Sequence, residues 1–410
     1  MAMSDLSRPT AGDEPRAQAV LQSARPNVVR PTATSMLALT LVPELGPRRI
    51  RRLVSMMGGP EGALHASAAQ LEGIPSIGPT LARSLARGLA KARTDVHERL
   101  EHALEAGVTL LPYDDPDYPP QLSGDEHAPT LLYVRGSVEA LSLDGVGLVG
   151  ARKSTAYGVD QAGRFAGVLA QAGWSIVSGG ARGIDTAAHH AALRAGGRTV
   201  AVLGCGLDHN YPAENAGLFD QIVDAGGAVI SELPMHCRPE AKNFPARNRI
   251  IAGLSRGVVV IEAGERSGAL ITARVAGEMG REVMALPGRV DTQTSQGCHD
   301  LIRDGATLVA APGDVEEAVS SFSTPGNASW QENASTSGVQ AIPGQTPGTD
   351  DDRMPNSMEQ RVLDALDEAL TLDQLCERLS LPPEQVRATV TLLEIRRRLR
   401  REGMRLIRAR

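Results

Sequence analysis

Four short apolar runs between residues 146 and 261 each end in glycine and a polar or cationic turn. Val146-Gly147-Leu148-Val149 leads into Gly150-Ala151-Arg152-Lys153-Ser154-Thr155, and Ser175-Ile176-Val177-Ser178 into Gly179-Gly180-Ala181-Arg182-Gly183. Thr199-Val200-Ala201-Val202-Leu203 leads into Gly204-Cys205-Gly206, and Gly257-Val258-Val259-Val260-Ile261 into Glu262-Ala263-Gly264. Apolar strands alternating with helical stretches predict a parallel α/β sheet with helices on both faces. Ligands of such sheets bind beyond the carboxyl ends of the strands. There this chain gathers guanidiniums, helix N-termini that offer N–H groups to anions, and glycines that let backbone approach a ligand. Glycine also serves tight turns that bind nothing, but four such turns with cations at several of them point to phosphate.

The pattern also excludes two phosphate sites. No G-x-x-x-x-G-K-[ST] run occurs, which argues against a P-loop NTPase. Gly204-Cys205-Gly206 continues as Leu207-Asp208-His209 and does not complete the dinucleotide fingerprint.

Composition shifts divide the remainder. Residues 1–33 mix Pro, Ala, Arg and Asp without apolar period and read as a disordered tail. Residues 34–109 are helical in pattern, and 110–320 hold the sheet. Residues 321–356, rich in Ser, Gly, Pro, Thr and Asn, read as a flexible linker that isolates 357–410. In the first module Val42-Pro43-Glu44-Leu45-Gly46-Pro47 and Ile74-Pro75-Ser76-Ile77-Gly78-Pro79 each precede a helix. Both resemble helix-hairpin-helix motifs, which hold a DNA phosphate at a helix N-terminus. Arg48, Arg49, Arg51 and Arg52 favour that role for the first run; a SAM-like bundle that only packs is the alternative. The last module shows helical spacing over 358–366, a second helix capped by Thr371, a third from Leu381 through Glu394, and a strand pair near Leu399 and Leu406-Ile407. That is the outline of a winged helix. Eight of its last fifteen residues are Arg, either a nucleic-acid contact or a solvated charge run.

A net charge of −6 over 410 residues rules out binding by a generally basic surface, so a local patch must carry it. Cys205, Cys237, Cys298 and Cys376 form no C-x-x-C pair, which argues against zinc and a disulfide framework and fits a reducing cytoplasm. No signal peptide and no apolar run of membrane-spanning length is expected. Only eleven Phe, Tyr and Trp residues occur, so a broad stacking platform is not available. Phe244, between Lys242 and Arg247-Asn248-Arg249, is the best candidate to stack a base, unless it is a core residue.

Residues 110–320 resemble the bacterial DNA-processing protein A (DprA/Smf) family. Tyr118-Pro119-Pro120-Gln121-Leu122, Val149-Gly150-Ala151-Arg152, Ser178-Gly179-Gly180-Ala181-Arg182-Gly183-Ile184-Asp185, Phe244-Pro245-Ala246-Arg247-Asn248-Arg249 and Ser267-Gly268-Ala269-Leu270-Ile271-Thr272 carry the likeness. One departure is His299, where the family commonly has Asn. The resemblance implies a non-catalytic protein that binds and protects single-stranded DNA and loads the recombinase RecA onto it in natural transformation. It implies a homodimer formed by the Rossmann-like domains and no cofactor or metal. The expected DNA-binding residues are Gly150, Arg152, Lys153, Ser154, Gly179, Gly180, Arg182, Lys242, Phe244, Arg247, Asn248, Arg249 and Ser267. The end domains are expected to offer duplex DNA a contact. The alternative is an enzyme related to nucleoside-monophosphate phosphoribohydrolases, whose P-G-G-x-G-T-x-x-E loop is only approximated by Glu262-Ala263-Gly264-Glu265-Arg266-Ser267.

Overall fold

A computed structural model describes residue 30, residues 32–125 and 127–321, and, nearer the C-terminus, 357–366, 370–379, 381, 386, 390, 393, 399–402 and 405–408. The expected tail lies outside these residues except for 30, 32 and 33, and the expected linker lies outside them beyond Ser321. Residues 1–330 and 331–410 separate into two compact units.

In the first unit the apolar runs are strands of one nine-stranded sheet. Its members are β1 (Val108–Pro112), β2 (Leu131–Gly136), β3 (Gly145–Gly150), β4 (Ser175–Ser178) and β5 (Thr199–Val202). The rest are β6 (Ala228–Ser231), β7 (Ser255–Glu262), β8 (Glu282–Ala285) and β9 (Thr307–Leu308). Their spatial order is β1-β2-β6-β5-β4-β3-β7-β8-β9. Every pair from β6 to β9 is parallel, as helix crossovers require. The chain runs outward from β3 to β6, then returns to β7 on the opposite side of β3. Between β3 and β7 lies the switch point at which such sheets open a crevice.

Alternation along the strands sends side chains into two layers. Val146 and Leu148 of β3 and Val259 and Ile261 of β7 pack under α7 (Ala156–Gln171) and α8 (Ile184–Arg194). On the other face Val149, Val258 and Val260 pack under α10 (Asn243–Gly253) and α11 (Gly268–Glu278), where Ile250, Ile251, Ala269 and Ala273 point inward. Helix α9 (Ala216–Asp224) joins the first layer beside β5 and β6 through Leu218, Phe219 and Ile222.

The antiparallel pair β1–β2 extends the sheet beyond β6 and joins it to the N-terminal helices. These are α1 (Ala33–Thr40), α2 (Pro47–Met56), α3 (Pro60–Leu64), α4 (Ala68–Glu72) and the long α5 (Pro79–Glu105). Val108 and Leu110 of β1 face the cluster of Leu37, Leu85 and Leu89, whereas Leu111 faces the sheet core. The two Gly-Pro hairpins adopt one geometry: Gly46 and Gly78 sit at φ −81 and −80°, each followed by Pro at the first helical position. Arg51, however, is committed to the joint, with its guanidinium 4.5 Å over the Tyr113 ring and donating to the Ala128 carbonyl. Arg49 donates to the Glu44 carbonyl within its own hairpin.

The second unit has α14 (Ser357–Ala365), α15 (Leu372–Leu379) and a sheet ordered β10 (Leu370–Thr371), β12 (Arg405–Arg408), β11 (Leu399–Glu402). Thr371 caps α15 as the sequence suggests: its hydroxyl accepts the Gln374 N–H, and the Gln374 side chain accepts the Thr371 N–H. Val386, Val390 and Leu393 keep the spacing of one helix face and join Leu363, Leu375, Leu399 and Leu406 in a small core. Most of the expected third helix lies outside the described residues.

Candidate nucleic-acid interface

A cavity of about 1120 Å³ opens beyond the carboxyl ends of β3 and β7. Gly150, Arg152 and Lys153 form one wall, Phe244, Arg247 and Asn248 a second, and Gly264 to Ala269 a third. Its position follows from the strand order, because the β3 and β7 turns face each other only at the switch point.

Each wall has a local cause. The β3 turn is closed by the Ala151 N–H donating to the Glu262 carbonyl oxygen at 2.7 Å. Glu262 itself is buried, and its Oε2 accepts the Thr155 N–H at 2.9 Å. Thr155 in turn caps α7 by accepting the Gly158 N–H. Arg152 and Lys153 therefore sit exposed on a turn fixed at both ends. On the third wall Ser267 caps α11, accepting the Ala269 N–H. The N-termini of α10 and α11 thus border the cavity beside the cations.

The Gly179-Gly180 turn is held from beneath. Asp185 accepts the N–H groups of Gly179 and Ala181 at 3.1 and 3.3 Å, and Arg247 donates to the carbonyls of Gly179 and Val202. A side chain on Gly179 would strike both: its first carbon would lie 2.7 Å from Arg247 Nη1 and 2.7 Å from Asp185 Oδ2. Only glycine fits between that guanidinium and that carboxylate. Burial pushes the Asp185 carboxyl above its usual range, against the pull of the Arg247 charge and the two N–H groups. Burial likewise brings Arg247 down to about 10, which leaves it charged at neutral pH. The pair is a buried brace, and one edge of Arg247 lines the cavity.

The aromatic wall stands on Gly204, where a side-chain carbon would meet the Phe244 ring at 2.7 Å. Phe244 is half-buried, its ring centroid 5.4 Å from that of Tyr211 and 5.1 Å from the Arg152 guanidinium. A cation above a ring can hold phosphate on one side while the ring meets a base.

The expected site residues are thus distributed unevenly. Gly150, Arg152, Lys153, Phe244, Arg247, Asn248 and Ser267 line the cavity. Gly179 and Arg182 line a small adjoining cleft, where Arg182 forms an exposed ion pair with Glu214. Ser154 precedes the α7 cap, and the Gly180 carbonyl accepts the Asn215 amide. Lys242, 78% exposed, pairs with Glu240 outside the cavity. Arg249 turns away to a largely buried pair with Glu232. Arg266, Tyr211, Gln293 and Gln296, which are not among the expected site residues, also line the cavity. Arg266 carried a signal, since it repeats the post-strand cation of Arg152. The glutamines carried none, because a one-turn helix at Gln293–Ser295 brings them in.

His299 Nε2 donates to the Gly288 carbonyl at 3.0 Å, so Nε2 carries a proton. The buried thiols Cys205 and Cys298 are pushed up to about 11 and about 12 by desolvation, so neither is a thiolate at neutral pH. Among the described residues no three His, Cys, Asp or Glu side chains could hold a metal ion, and no helix is long and apolar enough to cross a membrane.

Residues 109–320 match the family model of DNA recombination-mediator protein A, and residues 346–403 that of the DprA winged helix domain. Protein Smf of Escherichia coli is 44% identical over 235 residues, covering 57% of this chain and 63% of that protein, which is under two thirds of its length. The putative DNA processing protein DprA of Mycobacterium tuberculosis is 34% identical over 385 residues, 90% of this chain and 92% of that protein. The X-ray structure of DNA processing protein A from Streptococcus pneumoniae superposes with a TM-score of 0.59 at 34% identity, covering 70% of this chain and 97% of that one.

Proposed function

Because the chain belongs to the DNA recombination-mediator protein A family, we propose that its cavity binds single-stranded DNA without base preference. The observation that carries this reading is the ring of exposed Arg152, Lys153 and Arg266 around two helix N-termini and the Phe244 ring. Phosphates meet the cations and the N–H groups, and a base meets Phe244. Gly150, Asn248 and Ser267 shape the walls, Arg182 exchanges Glu214 for a phosphate at the rim, and Gly179, Gly180 and Arg247 hold the turn in place. Lys242 and Arg249 lie too far into other contacts to serve as first choices.

The protein works in the cytoplasm as a homodimer that passes the bound strand to RecA; the family's description as a recombination mediator supports that role. It acts without turnover. The burial of Glu262 and its bond to the Thr155 N–H support this, since the one carboxylate a phosphoribohydrolase-like site would need is already engaged.

Anisotropy of a labelled dT oligomer tests the site. Arg152→Ala weakens binding to oligo-dT and to mixed sequence alike, and lowers the slope of log K against log salt by roughly 0.7, the single-strand value per lost phosphate contact. Equal affinity and slope in the two proteins would remove Arg152 from the site.

A further inference from the structure

The long helix α5 reaches the sheet domain at two loops that end in the aromatic wall. Arg99 donates to His236 Nδ1 at 2.9 Å, and His102 Nε2 donates to both carboxylate oxygens of Asp208 at 2.9 and 3.0 Å. The two loops are themselves fastened together. The Gly206 N–H donates to the Cys237 carbonyl at 2.8 Å, the Asp208 N–H to the Met235 carbonyl at 3.1 Å, and His209 Nε2 to the His236 carbonyl at 3.1 Å. At Gly206 the backbones touch so closely that any side chain would collide with the carbonyl oxygens of Pro234 and Met235. Met235 is buried in the same cluster as the N-terminal helices. Three residues beyond Asp208 stands Tyr211, and eight beyond His236 stands Phe244, whose rings meet at 5.4 Å.

We propose that Arg99 and His102 are positioning residues: α5 clamps the joined loops 204–211 and 234–242, and thereby sets the Tyr211–Phe244 wall against Arg152. This rests on the reading of the cavity as a single-strand site. The N-terminal helices then govern how well the groove receives DNA without touching it.

The test uses the full chain and oligo-dT anisotropy over a salt series. The double variant Arg99→Ala/His102→Ala is expected to bind about fivefold more weakly, the scale of a lost contact within one network. Its salt slope stays that of the wild type, because no phosphate contact is removed. Asp208→Ala, which removes the acceptor from the loop side, reproduces the loss. His102→Lys, which keeps an N–H donor opposite Asp208, restores binding. Wild-type affinity in both the double variant and Asp208→Ala would overturn the proposal. So would a flattened salt slope in the double variant, which would place Arg99 or His102 on the strand itself. Failure of the wild type to bind oligo-dT, or indifference to Arg152→Ala, would instead strike the single-strand reading.

Discussion

Arg247 shows how one residue can look like a ligand contact in the sequence and prove to be a brace. Between Asn248 and a run of helix-starting residues it reads as a groove cation, yet its guanidinium donates to two backbone carbonyls. Sequence gives residue type and rough location; burial depends on which turn lies underneath, and that turn is 68 residues away. Removing Arg247 would leave Asp185 buried beside no cation, a loss on the order of 3–5 kcal/mol, so such a variant reports folding more than contact. His189 offers a cleaner measurement. Its Nδ1 lies 2.7 Å from the Thr199 hydroxyl, which donates to the Ile176 carbonyl, so Nδ1 carries a proton, while Nε2 is buried with no partner that could accept a second one. Burial, with the charges of His190 and Arg247, lowers its pKa to about 3. The unfolded chain takes up a proton near the ordinary value of about 6.5, so between those limits the unfolded state binds more protons than the native one. Stability from this group is complete above about pH 6.5 and falls by roughly 1.4 kcal/mol per unit as pH drops toward 3. Urea unfolding at pH 7 and pH 5 is expected to show a smaller loss in His189→Gln than in the wild type. Equal losses would mean that His189 is not held neutral.

Among elements, those with a local cause were the legible ones. Strands β3, β4, β5 and β7 appear as apolar runs ended by glycine, and the α15 cap appears as Thr371 three residues before Gln374. The antiparallel strands β1 and β2 were not legible as sheet members. Their pairing follows from the way Val108 and Leu110 face the helices while Leu111 faces the sheet, a division set by tertiary packing. Lys242 and Phe244, two residues apart, went different ways because α10 begins between them. The C-terminal element has its own core, which points to a separable role. Deleting residues 322–410 is expected to leave oligo-dT affinity within about twofold of the full chain, with any loss falling on duplex DNA. A large loss at equal helicity by circular dichroism would make the Arg-rich end the principal site.

For the whole molecule, a net charge of −6 demands that the proposed attraction to DNA be confined to one place, and a single groove spans few nucleotides. Two grooves on one strand make the second contact intramolecular, with an effective concentration in the millimolar range. The proposed dimer therefore has a measurable signature. Residues 30–321 are expected to sediment as a dimer at micromolar concentration, and a strand long enough for both grooves to bind far more tightly than one half its length. A monomer indifferent to strand length would refute it.

The switch point between β3 and β7 also has a consequence in time. The walls of the cavity come from residues near 150, 180, 245, 266 and 293, spread over more than a third of the chain. A ribosome delivers β3 more than a hundred residues before β7, and until β7 inserts beside it no crevice exists. The Arg152 turn emerges early but lacks both Glu262, which closes it, and the α11 N-terminus opposite. The affinity for DNA proposed for this cavity is thus withheld from the nascent chain until β7 and the α11 turn have joined β3.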